Sequence, residues 1–142
     1  MHPRRPWRQA LLLSLAMLPL LALADPPLAD PAAYARGEKL YERCAACHAI
    51  AFDRTGPRHC GLLGRRAGSL PGFAYSPAMR RSGIVWTAAS LDRFLRAPLA
   101  AVPGTSMGYD GIKDAGERHD LIYYLSEAGQ AAKCRPERGV SR

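Results

Sequence analysis

The sequence predicts an all-α domain with three main helices joined by long loops. Three observations carry this reading. Three segments place apolar residues at helical spacing, and no stretch alternates apolar and polar residues as a half-buried strand would. The segment 51–83 is so dense in turn formers that it excludes a long regular element. A chain of 142 residues with 48% hydrophobic, 23% charged and 8% aromatic content fits a single globular domain. That arithmetic excludes a disordered chain, a collagen and a multidomain enzyme.

The first 24 residues read as an address label. Arg4, Arg5 and Arg8 form a basic start, Ala10 to Leu23 is a short apolar run, and Ala22-Leu23-Ala24 gives a small-x-small cleavage pattern before Asp25. The run is shorter than the roughly 20 residues a membrane-spanning helix needs. Residues 1–24 are therefore expected to be a signal peptide, cleaved on export to a bacterial periplasm and leaving no stable membrane insertion. Removing them leaves 118 of the 142 residues and 17 of the 20 Lys+Arg against 12 Asp+Glu, a formal charge of +5 instead of +8.

Residues 25–34 are read as a Pro-rich lead-in, 35–130 as the domain and 131–142 as a C-terminal extension. Asp30 followed by Pro31 predicts an N-cap and a first-turn proline. The helix they start is expected to reach about Cys47, with Tyr34, Gly37, Tyr41 and Cys44 on one stripe. Gly56-Pro57, Gly61, Gly64, Gly68, Pro71-Gly72 and Ser76-Pro77 then break the chain repeatedly. Such a long loop belongs in a compact domain only if it wraps something. A second helix is predicted from Ala88 to Ala97, capped by Thr87 and stopped before Pro98, with a loop from Pro98 to Gly111. The last helix has Asp114 as cap, Glu117 three residues on, the stripe Leu121, Tyr124, Leu125 and Ala128, and Gly129 as its expected end.

Cys44-Ala45-Ala46-Cys47-His48 carries the chemistry. Two thiols one turn apart can each add to a vinyl group of one haem, and the adjacent imidazole can then turn onto the iron. A thioredoxin-like dithiol wants a βαβ context, and a zinc site wants a second Cys/His pair; neither is present. One covalent haem c is the reading. His59, His119, Met79 and Met107 compete for the sixth position. His119 lies among Glu117, Arg118 and Asp120 and reads as solvated, while His59 is too close to His48 to cross to the far face. Met107 is favoured because Pro103 and Gly104 shape a loop able to present its thioether inward.

These stretches resemble the class I cytochromes c, especially the mitochondrial and purple-bacterial kind, over nearly all of Ala35 to Ala128. Besides the Cys44–His48 motif, the resemblance rests on Gly56-Pro57, Gly61 to Arg65, Pro71 to Ser76, Gly83 to Trp86, Pro103 to Met107, Gly111 to Lys113 and Asp120 to Ile122. It implies the class I fold wrapped around one covalent haem, with His48 as proximal and Met107 as distal ligand. The carbonyl of Pro57 would accept the other ring N–H of His48. Tyr75 and Trp86 would meet the haem propionates, with Arg65 near enough to balance their charge. The resemblance also places Cys60 beside the end of the last helix, within reach of Cys134, implying a disulfide.

Three departures stand out. Phe94 replaces a Tyr that bonds the methionine sulfur in many relatives, Ser106 replaces a rim Lys, and Tyr41 lies one residue nearer the first heme cysteine than in the mitochondrial proteins. The last shifts the expected contact of Tyr41 with Leu121 and Tyr124 by one register.

The implied function is electron carriage without catalysis, as a monomer meeting acidic patches of redox partners in transient, charge-steered complexes. An exported haem chain excludes nucleic acid as the partner of its basic charge. Two alternatives stand beside this: a dedicated electron-accepting subunit of a periplasmic dehydrogenase, docking through Arg80, Arg81, Arg93 and Arg96, and a haem peroxidase or gas-reactive cytochrome.

Overall fold

In the computed structural model, which describes residues 29–134, two long helices cross and the loops between them enclose a cavity. Helix α1 is Pro31–Tyr41, and α5, Ala115–Gln130, is its main partner. Between them lie α2 (Pro77–Arg81), α3 (Ala88–Arg96) and α4 (Pro98–Ala101). A single 3-10 turn, Ala132–Cys134, follows α5. No strand forms among the described residues; one antiparallel bridge joins Arg66, in the middle of the long loop, to Val85 before α3.

The predicted caps close their helices. Asp30 accepts from the N–H groups of Ala32 and Ala33, Thr87 pairs reciprocally with Ser90, and Asp114 accepts from Glu117 N–H. Residues 31–34, assigned to the lead-in, are the first turn of α1. The proposed leader 1–24 and the chain beyond Cys134 lie outside the described residues.

Helix α1 ends at Tyr41 and not near Cys47, because the N–H groups that follow turn to carbonyls three residues back, Glu42 to Lys39 and Arg43 to Leu40, instead of four. The Arg54 guanidinium donates to the Ala45 carbonyl at 2.8 Å and Gly56 N–H to the Cys47 carbonyl at 2.7 Å. The chain from Glu42 onward tightens into turns, with Cys44 N–H on the Tyr41 carbonyl at 2.8 Å and Cys47 N–H on that of Cys44 at 3.1 Å. The loop predicted from Pro98 opens with the single turn of α4, where proline suits the first position.

Gly129 does not end the last helix. It lies inside α5 and is small for another reason: a Cβ there would meet the His59 carbonyl, and Gly61 N–H donates to the Gly129 carbonyl at 3.0 Å. The α1–α5 crossing needs a similar close approach, since a Cβ on Gly37 would collide with the Asp120 carbonyl and Tyr124. Around it Tyr34 and Tyr41 pack on the Tyr124 ring, with centroids 5.1 and 5.3 Å apart. The shortened spacing before Cys44 therefore leaves the contact of Tyr41 with Tyr124 intact. Arg36 forms a forked pair with Asp120 at 2.6 and 3.1 Å, and Arg43 pairs with Glu117.

Candidate haem site

The loops and helices surround a cavity of about 250 Å³. Close-packed interiors leave few voids larger than a water molecule, so this space is a binding site and not a packing fault. Every residue assigned to the haem lines it: Cys44, Cys47, His48, Pro57, Arg65, Tyr75, Trp86 and Met107. Met79 and His59 line it too. His119 does not; it is exposed, 3.5 Å from Asp120.

The chemistry of these groups fits a covalent haem. Cys44 and Cys47 are unpaired and sit together on the tight turn after α1. Burial pushes the Cys44 thiol up from its ordinary range, the reverse of what a reactive redox dithiol requires. His48 Nδ1 lies 2.8 Å from the Pro57 carbonyl, so Nδ1 carries the proton and Nε2 is left with its lone pair for a metal. Burial also lowers the His48 pKa against the opposing effect of the Pro57 bond, which favours the neutral, metal-binding form. A Cβ at Gly56 would collide with the His48 ring, so glycine there is a cradle for that imidazole.

Residues 57–61 form a strap under His48. The Arg65 guanidinium donates to the carbonyls of Cys60 at 2.7 Å and Arg58 at 3.1 Å. Burial lowers its pKa from the ordinary arginine value. The Cys60 and Cys134 Cα atoms are 5.1 Å apart, bringing the two side chains into contact. His59 stacks on His48 with centroids 4.5 Å apart, and its Nδ1 is 3.1 Å from the Tyr41 hydroxyl. Burial, aided by His48 and Arg65, holds the His59 pKa down at about 3, so the ring is neutral.

Across the cavity, Trp86 and Phe94 pack together at 5.1 Å and Phe73 meets Tyr75 edge-on at 4.7 Å. Burial pushes the Tyr75 phenol up. The Met107 segment is irregular; Met107 N–H reaches the Thr105 hydroxyl at 3.3 Å. Its far end is anchored by Arg118, a nearly buried residue that donates to the carbonyls of Ile112 and Lys113 and pairs with Asp92 at 2.7 Å. The sequence assigned Arg118 no role, because its charged neighbours hide that it lies on the inner face of α5.

A family model described as cytochrome c matches residues 34–129. The chain belongs to the cytochrome c family. Cytochrome c type-1 of Ascaris suum is 42% identical over 97 residues, covering 66% of this chain and 87% of that protein. Cytochrome c2 of Rhodomicrobium vannielii is also 42% identical, over 64% of this chain and 75% of the relative. Among solved structures, cytochrome cH from Methylobacterium extorquens superposes with a TM-score of 0.65 at 39% identity, covering 66% of this chain and 97% of that one. This cytochrome is of the class I monohaem type: all-α, carrying covalent haem c, and an electron-transfer protein instead of an enzyme.

Proposed function

We propose that this cytochrome is a periplasmic carrier that moves one electron at a time by outer-sphere transfer, with His48 and Met107 as axial ligands. The observation that carries the reading is the His48–Pro57 hydrogen bond, which leaves the free imidazole nitrogen on the cavity that Met107 also lines. When bound, the haem supplies an iron that changes oxidation state without bonds forming or breaking, and a thioether ligand favours its reduced form. The chain's part is to orient and to exclude water. Cys44 and Cys47 hold the group covalently, Pro57 fixes the proximal imidazole, and Trp86, Leu91, Phe94 and Leu95 make the walls apolar. Tyr75 and Trp86 would meet the propionates, with Arg65 supplying compensating charge. A bridge between Cys60 and Cys134 would close the strap below the proximal ligand.

The leader sequence supports export, and the +5 charge supports steering toward acidic patches on redox partners. Arg43 and Arg96 are engaged with Glu117 and Asp92, whereas Arg80, Arg81 and Arg93 have no carboxylate partner among the described residues. Of the arginines assigned to docking, those three support it. Among the described residues no helix is long and apolar enough to cross a membrane.

Met107→Ala tests the ligand assignment against Met79, which lines the same cavity. The expected result is a high-spin or misligated haem with a lower potential, while Met79→Ala keeps the low-spin spectrum. An exchange of these spectra between the two variants would refute the assignment. Stopped-flow reduction by candidate dehydrogenases over a range of ionic strength tests docking: rates that do not fall with salt would exclude charge steering. Rapid carbon monoxide binding by the native ferrous protein would instead mark a gas-reactive site.

A further inference from the structure

We propose that His59 is a positioning residue, its ring tethered to Tyr41 and holding the imidazole plane of the proximal ligand. The inference rests on His48 being that ligand. One hydrogen bond at Nδ1 selects the tautomer of His48 and fixes one direction, but it leaves the ring able to swing about the line to the Pro57 carbonyl. Besides the backbone at Gly56, which crowds the ring, fixing the plane takes a contact on the ring face.

His59 supplies that contact. Its ring lies 4.5 Å from His48, centroid to centroid, with only 22° between the planes. The ring is itself anchored on several sides. His59 N–H donates to the carbonyls of Ala49 and Ile50 at 3.1 Å, and Arg65 grips the carbonyls of the residues before and after it. At the side-chain end, His59 Nδ1 and the Tyr41 hydroxyl are 3.1 Å apart. Tyr41 closes the last turn of α1 and packs on Tyr124 of α5, with centroids 5.3 Å apart. An unbroken series of contacts thus runs from the α1–α5 crossing through Tyr41 and His59 to the face of His48.

A purely space-filling role fits this less well. A half-buried imidazole carries a desolvation cost that an aliphatic or phenyl side chain of similar size avoids. The Tyr41 bond offsets part of that cost, and it does so in a way that also fixes the ring angle. Ligand planes are set by such outer contacts as much as by the ligating atom.

The test uses the full-length, haem-loaded ferric protein and proton NMR, since the spread and order of the haem methyl shifts report the orientation of the axial imidazole. His59→Leu removes stack and tether and is expected to rearrange the methyl pattern. His59→Phe restores a ring face and should bring the pattern back most of the way. Tyr41→Phe cuts only the tether and should give an intermediate change. A His59→Leu protein with the wild-type methyl pattern overturns the proposal. If that variant does not load haem, Tyr41→Phe decides, and a wild-type pattern there overturns it equally. Optical spectra separate the two readings: His/Met spectra throughout with unmoved methyls sink only the role of His59, whereas a wild-type spectrum that is not His/Met refutes the ligand assignment.

Discussion

The two sides of the haem cavity are built differently. On the proximal side, residues 44–65 are cross-tied to one another at many steps and to α5 and Trp86 besides. Gly56 N–H binds the Cys47 carbonyl, the Pro57 carbonyl accepts from the His48 ring N–H, Arg65 grips two strap carbonyls, and Gly61 N–H reaches α5. The backbone of the distal segment carrying Met107 is held by local bonds within residues 102–109. It is fixed at its far end, where Ile112 N–H donates to the Leu95 carbonyl at 2.8 Å and Arg118 holds the two following carbonyls. A ligand set in a strap with many ties moves only when the domain opens, whereas a ligand on a loop with local ties can leave by itself. The cytochrome is therefore expected to lose Met107 before His48 under any stress.

The largest expected effect breaks the proximal strap. Cys134→Ser removes the proposed bridge across a separation of 74 residues, and the chain-entropy relation gives a loss of about 4 kcal/mol. Urea unfolding of oxidised wild type and variant measures it; equal stabilities, or two free thiols titrated in the denatured, unreduced holoprotein, would remove the bridge. Next comes the distal root. Arg118→Leu strands the Ile112 and Lys113 carbonyls and leaves Asp92 with Arg96 alone, at a cost of about 3 kcal/mol. It should also speed the displacement of Met107 by added imidazole, seen by stopped-flow absorbance; an unchanged rate would show that this anchor does not restrain the loop.

A smaller effect is expected from Gly56→Ala. The new methyl group must push the His48 ring, which costs about 2 kcal/mol. Unlike Arg118→Leu it should perturb the proximal side while leaving the rate of Met107 displacement near wild type, and the same two assays read both.

The mildest probe is acid. Hydrogen bonds from Arg118 hold the Asp92 pKa below the ordinary 3.8, and those from Arg36 do the same for Asp120. A depressed folded-state pKa gives stability that is present above 3.8 and lost as pH falls through the lowered values, because the unfolded chain then binds more protons. Unfolding midpoints should therefore begin to fall near pH 4. Asp92→Asn should flatten part of this slope, and an unaltered slope would show that the pair does not contribute.

Much of the site was legible in the sequence because its chemistry is local. The Cys44–His48 motif brings the two proposed attachment points and the proposed ligand within five residues, and a cap such as Asp30 or Asp114 acts on N–H groups two or three residues away. The same locality explains the errors. Helix α1 ends where its bonds tighten to carbonyls three residues back, a change that no capping residue signals, and Gly129 looked like a helix stop although its small size serves the strap at residues 59–61.

By itself, then, the sequence determined the helix starts, the presence of a wrapping loop, the covalent haem and the family, all set by short-range bonding or by motifs in order. Only the tertiary structure decided which charges are buried, as with Arg118, and which rings touch, as with Tyr41, His59 and His48. Those depend on which face of each element turns inward and on contacts between residues far apart in the chain, and no short pattern of residues encodes either.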